Sequence, residues 1–135
     1  MKILLIGCAS LLAAGCTDAR PAEPTASEQS RMAAELVNYE QSGEPLSCVN
    51  MRDLRGNRSV GEGAIVFDGA TRSTLYVNHP PAGCPDLGFG RALVIRTTTT
   101  RLCRGDIAEV VDLTSRTNYG GCGLGDFTPY KRVKR

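Results

Sequence analysis

A chain of 135 residues with 16 Lys and Arg against 14 Asp and Glu has room for one small domain and a net charge of only +2. That balance excludes the basic footprint of a nucleic-acid binder. With no tryptophan and 5% aromatic residues, ring stacking on sugars or bases is equally disfavoured, whereas six cysteines are many for this length.

The chain begins with an apolar segment, Ile3 to Ala14, behind a single cation, Lys2. Such a segment makes a helix of roughly 18 Å, short of the ~30 Å of hydrocarbon in a bilayer. A charged start, a short apolar middle and a small-residue end form the layout of an export signal. Ala13-Ala14-Gly15-Cys16 resembles the lipobox of bacterial lipoproteins, in which cleavage before the cysteine leaves a thiol that carries diacylglycerol. Ala13 departs from the commonest leucine. Leu5-Ile6-Gly7-Cys8 fits the box better but has too few apolar residues ahead of it.

The resemblance implies a signal peptide over 1–15, lipid attachment at Cys16 and a membrane partner through that lipid. Thr17 rather than Asp after the cysteine points to the periplasmic face of the outer membrane. Cleavage after a small residue such as Ala19, giving a soluble periplasmic protein, is the alternative. Residues 16–24 contain Pro21 and Pro24 and no apolar period, so they read as an extended tether.

A helix follows over 25–42. Thr25-Ala26-Ser27-Glu28 fits a capping box, and Met32, Leu36 and Tyr39 fall on one helical stripe. Gly43 and Pro45 stop it. From Ser47 the period changes to two, and a β domain is expected over 45–130. Strands are read at 48–52, 63–67, 74–78, 91–97, 107–113 and 126–128. Arg55-Gly56-Asn57-Arg58 reads as a turn, Asp68-Gly69 as a hairpin turn and Arg104-Gly105-Asp106 as another. The glycine-rich stretch Gly120 to Gly125 reads as a linker, and the basic tail 131–135 as frayed. The fold class is mainly β (α+β): one N-terminal amphipathic helix, then a five- to six-stranded antiparallel sheet or small barrel.

With Cys16 carrying lipid, Cys48, Cys84, Cys103 and Cys122 remain, with no C-x2-C pair to nucleate a zinc site. Two disulfides are expected in an oxidising compartment, and no metal or cofactor. If the strands run up and down in order, Cys48 and Cys103 share one end of the sheet, and Cys84 and Cys122 the other. Pairing 48–103 with 84–122 then avoids spanning the strands. If the loop Pro80 to Gly90 folds back across the sheet, 84–103 with 48–122 becomes the better pairing.

No catalytic constellation is visible. His79 is the only histidine, at a strand end, with no serine or cysteine paired to it, and such a residue more often satisfies a loop carbonyl. Glu109 and Asp112 lie on opposite faces of one strand, so they form no carboxylate pair by themselves. Arg104-Gly105-Asp106 matches an integrin-binding tripeptide but suits a turn beside a disulfide. Gly121 to Gly125 has no following helix to present to a phosphate. Arg52, Arg55, Arg58, Arg72, Arg91, Arg96, Arg101 and Arg104 are a candidate anion or partner contact, provided that several share a face.

Cys84-Pro85-Asp86-Leu87, Leu102-Cys103-Arg104-Gly105-Asp106 and Cys122-Gly123-Leu124-Gly125-Asp126-Phe127 resemble, in this order, an uncharacterised family of small secreted or lipid-anchored proteobacterial proteins. The resemblance covers roughly 47–130. It implies an envelope location and a disulfide-bonded β domain, and brings no activity. The expected function is a non-catalytic binding or scaffolding module whose partner is an envelope protein or glycan. The alternatives are an inhibitor of a hydrolase such as lysozyme, using the loop Pro80 to Gly90, and a carboxylate-dependent hydrolase.

Overall fold

The computed structural model describes residues 23–134, so the signal segment and Cys16 lie outside the described residues. One helix and ten strands follow in order: α1 (Ala26–Glu35), β1 (Tyr39–Gln41), β2 (Cys48–Asn50), β3 (Leu54–Val60), β4 (Ala64–Gly69), β5 (Thr74–Asn78), β6 (Ala92–Ile95), β7 (Arg101–Cys103), β8 (Ile107–Asp112), β9 (Thr117–Gly123) and β10 (Phe127–Arg132). A single 3-10 turn, Met51–Asp53, joins β2 to β3. All pairings are antiparallel. The main sheet has the order β1-β10-β5-β4-β3, and two smaller sheets, β2-β7 and β6-β8-β9, stand apart from it. The sheets do not close into a barrel.

The main sheet is covered on both faces, and β4 shows why the sequence demands it. Ala64 to Phe67 are all buried, an unbroken apolar run that alternation cannot satisfy with a single wet face. Ile65 and Phe67 point toward the smaller sheets, where they meet Leu87, Leu93, Leu102, Val110, Leu124 and Phe127. The Phe67 and Phe127 rings pack tilted, with centroids 5.6 Å apart. Val66 points the other way, toward Val60, Leu75 and Val77, with Met32 of α1 and its C-cap Leu36 laid over them. The helix therefore packs its apolar stripe on the sheet, although none of its own residues is fully buried.

Both disulfides form in the preferred pairing, Cys48–Cys103 and Cys84–Cys122. The geometry behind the first differs from an up-and-down meander. Cys48 and Cys103 face each other across the two-stranded β2-β7 ladder, flanked by the bond from Arg104 N–H to Ser47 O. They thus occupy a non-hydrogen-bonded pair, where Cα atoms approach most closely, here 4.0 Å. Cys84 and Cys122 tie the long loop to β9 inside the larger core.

Several expected boundaries move. The stretch 55–58 is no turn but the middle of β3; the true turn is Gly61–Gly63, where Gly61 has φ +66, and a register shift between Leu54 and Gly56 absorbs the glycine. Helix α1 stops at Glu35, and Tyr39 reaches the same apolar cluster from β1, because pairing with Arg132 holds it extended. The glycines at 120–123 belong to β9. A Cβ on Gly121 would press on the Ile107 side chain and the Ala108 carbonyl, which explains the small residue in that strand. Lys131 and Arg132 continue β10 rather than fray, since both pair with β1.

Candidate functional site

Among the described residues, a groove of about 690 Å³ opens where the N-terminus of α1, the β3–β4 turn and the loop 79–85 converge. Its walls are mainly apolar, with Pro24, Met32, Val60, Ala64, Pro80 and Pro81 among them, and its rim carries Glu23, Glu28, Glu62 and His79. Volume and lining both fit a binding pocket, which is typically 300–1,000 Å³ and largely apolar with a few placed polar groups.

Glu28 organises this site. Its carboxylate accepts from Thr25 N–H at 2.8 Å and from the Thr25 hydroxyl at 3.0 Å, closing the capping box. The other oxygen accepts from Glu62 N–H at 3.0 Å, 34 positions along the chain. These N–H groups, Thr25 first and Glu62 next, hold the Glu28 carboxyl below its ordinary pKa. Gly61 passes so close beneath the Glu28 side chain that a Cβ there would collide with it, and its left-handed φ disfavours other residues independently. Glu62 in turn accepts from Asp86 N–H at 2.8 Å, and its carbonyl accepts from Cys84 N–H at 2.7 Å. Two carboxylates thus lace helix, turn and loop together, and the Cys84–Cys122 bond fixes the far wall.

His79 is exposed on the rim, with Nδ1 3.3 Å from the Gly63 carbonyl. Cys84, the thiol nearest to it in the groove, is in a disulfide. The Thr25 hydroxyl donates to Glu28. Among the described residues, no group of three or more metal-ligating side chains gathers. What the groove offers is a largely apolar slot with an acidic rim.

Beneath one end of the groove, Asn78 is fully buried and bonds Gly125 twice, from Nδ2 to the carbonyl at 2.7 Å and from Gly125 N–H to Oδ1 at 2.9 Å. Gly125 must be glycine because a Cβ would strike the His79 carbonyl. This clamp joins β5 to the β9–β10 connection and so sets the position of the histidine. Asn78 reads in sequence as an ordinary strand end, so nothing there signals the clamp.

The candidate arginines are dispersed. Arg58 lies between Glu35 at 2.7 Å and Asp68 at 2.6 Å, pinning α1 to the sheet, and these carboxylates, Glu35 foremost, raise its pKa further. Arg91 pairs with Asp86 at 2.9 Å and stacks 3.6 Å over the Tyr119 ring. Arg96 meets Glu109 and Arg104 meets Asp126. Arg55 donates to the Ala70 carbonyl, while Arg52, Arg72 and Arg101 are exposed and form no ion pair among the described residues. The eight therefore do not form one grip. The Arg104-Gly105-Asp106 stretch is a turn whose Asp106 carboxylate accepts from Cys103 N–H at 2.7 Å. Asp112 likewise caps the β8–β9 turn, and N–H donation from Ser115 and then Thr114 lowers its pKa.

No family model, curated protein or solved structure matches the chain. Its groove and charges therefore have to carry the functional argument. The loop Pro80 to Gly90 is drawn inward by buried Pro80, Cys84 and Leu87, and only its end, with Phe89 73% exposed, stands clear.

Proposed function

We propose that this chain is a cell-envelope lipoprotein, anchored through Cys16 at the periplasmic face of the outer membrane, whose β domain is a non-catalytic binding module. The lipobox-like Ala13-Ala14-Gly15-Cys16 and the motifs shared with small secreted or lipid-anchored proteobacterial proteins support the location. Two disulfides agree with an oxidising compartment. One observation carries the binding role: the groove at the entry of the tether is apolar, and its two central carboxylates are already engaged by backbone N–H groups. Glu28, whose pKa these N–H groups lower, is a poor proton donor, which argues against its serving as the acid of a carboxylate-dependent hydrolase. The matching ligand is an apolar segment of an envelope protein, with a neutral or cationic flank for the acidic rim.

A photo-crosslinking residue placed at Gln29 or Ala82, both in the groove lining, tests this in cells making the full chain. A discrete envelope-protein adduct from these positions, absent from the same residue placed at Arg116, is expected. Adducts only from Arg116, or from none of the three, would overturn the assignment.

A second reading has its own observation. Phe89 projects between Gly88 and Gly90, and the following Arg91 is fixed by Asp86 and Tyr119, which makes a small rigid apolar finger. Such a finger suits an inhibitor of a hydrolase. Loss of lysozyme activity on adding the purified domain, relieved by Phe89→Ala, is the result this reading requires.

A further inference from the structure

Charge is nearly balanced over the whole chain but not over the fold. Arg58, Arg91, Arg96 and Arg104 each face a carboxylate. Nine others, Arg31, Arg52, Arg55, Arg72, Arg101, Arg116, Lys131, Arg132 and Lys134, form none among the described residues. The fold gathers four of these, Arg55, Arg72, Lys131 and Arg132, around the β4–β5 turn, residues 70–73. Arg72 lies in the turn itself. Arg55 Nε donates to the Ala70 carbonyl at 3.0 Å, Arg132 N–H donates to the Ser73 carbonyl at 2.8 Å, and Lys131 is the register partner of Thr74. The Tyr39 hydroxyl donates to the Arg72 carbonyl at 2.9 Å, and the Arg132 guanidinium sits 5.4 Å from the Tyr39 ring centroid. Strand pairing thus fixes most of these cations in place. The carboxylates closest in register are Glu40, opposite Lys131, and Asp68, which Arg58 already holds.

The opposite end of β4 carries the other sign. There Glu23, Glu28 and Glu62 line the groove, against Arg31, which donates to the Ser59 carbonyl. A strand the length of β4, six residues, separates the two poles by roughly 20 Å. The molecule is therefore electrically polar along its main sheet, with the chain entering at the acidic end.

We propose that the basic pole binds an acidic cell-wall polymer, a glycan or glycopeptide bearing carboxylates at repeated intervals. This rests on the envelope-lipoprotein reading for its orientation: an anchor at the acidic end draws that end to the bilayer and leaves the basic pole facing the aqueous space. Guanidinium forks bind carboxylates in bidentate fashion, and a repeating polymer engages several cations at once, so weak single contacts multiply.

Co-sedimentation of the unlipidated chain from residue 16 onward, with both disulfides formed, tests the pole directly. One arm uses purified insoluble cell wall; the other uses vesicles of one part phosphatidylglycerol to three parts phosphatidylethanolamine. Wall binding is expected to weaken by roughly tenfold or more in the triple variant Arg55→Gln, Arg72→Gln, Lys131→Gln, and to fall steeply with salt. The double variant Arg101→Gln, Arg116→Gln removes exposed cations elsewhere and keeps binding. Preference for the vesicles, equal binding by the triple variant, equal loss in the double variant, or no wall binding would each overturn the proposal. The assay needs no anchor, so its failure is distinct from a failure of the lipoprotein reading, which shows in the mass of the processed chain.

Discussion

The two faces of the five-stranded sheet are covered by different means. On one, the smaller sheets bury a large apolar cluster, and Cys84–Cys122 runs through it with Cys48–Cys103 at its margin. On the other, α1 has no fully buried residue and is held largely by polar contacts. Arg58 bridges Glu35 and Asp68, Glu28 accepts from Glu62 N–H, and Arg31 donates to the Ser59 carbonyl at 3.3 Å. A domain this small buries only about two thirds of its unfolded surface, so one apolar core cannot serve both faces equally. Covalent bonds hold the first, and a few charges position the second. The helix face should therefore open locally at lower free energy than the stapled face, and the groove lies along that looser seam.

The largest separation between the faces should come from the buried disulfide. Cys84→Ser with Cys122→Ser is expected to lower stability by about 2–5 kcal/mol, seen as a lower urea midpoint. Asn78→Ala comes next. It leaves the Gly125 N–H and carbonyl unpaired in the interior, at about 1–3 kcal/mol, and shifts the His79 resonances because the clamp positions that residue. Arg58→Met should change global stability by only about 1 kcal/mol or less, since its side chain is 38% exposed. Its signature is instead a loss of amide protection confined to α1. If protection falls equally on both faces, the contrast drawn between them is wrong.

The smallest effect is one of pH. Because the folded state depresses the Glu28 pKa below its ordinary 4.5, the associated stability is present above that value and is lost as pH falls through the folded pKa. Acidification into that range should loosen α1 before the stapled core, and Glu28→Gln should flatten this dependence.

How much of this was legible in sequence follows from the range of the forces involved. The capping box at Thr25 to Glu28 rests on local chemistry and the count of two disulfides on parity, and both are present. The hairpin forms too, but Asp68 and Gly69 end β4 and the turn falls at 70–73. The disulfide pairing matches although its premise, strands running up and down in order, does not hold. The helix end was not legible, because Tyr39 keeps the helical spacing while strand pairing with Arg132 takes it. Arg55 to Arg58 has the composition of a turn, yet cross-strand bonds to β4 hold it extended. The groove joins three segments distant in the chain, and its organiser, Glu28, reads only as a cap. Likewise, the basic pole draws on residues from 55 to 132 and becomes visible only once β3, β5 and β10 are placed.

The central claim, a disulfide-bonded module moored by its first residue, is tested most directly by the intact mass of the protein isolated from membranes, before and after reduction. The account predicts a chain starting at Cys16, heavier than its sequence by a diacylglyceryl and an acyl group, that gains the mass of four hydrogens on reduction. An unprocessed or lipid-free chain whose mass does not change on reduction would contradict it.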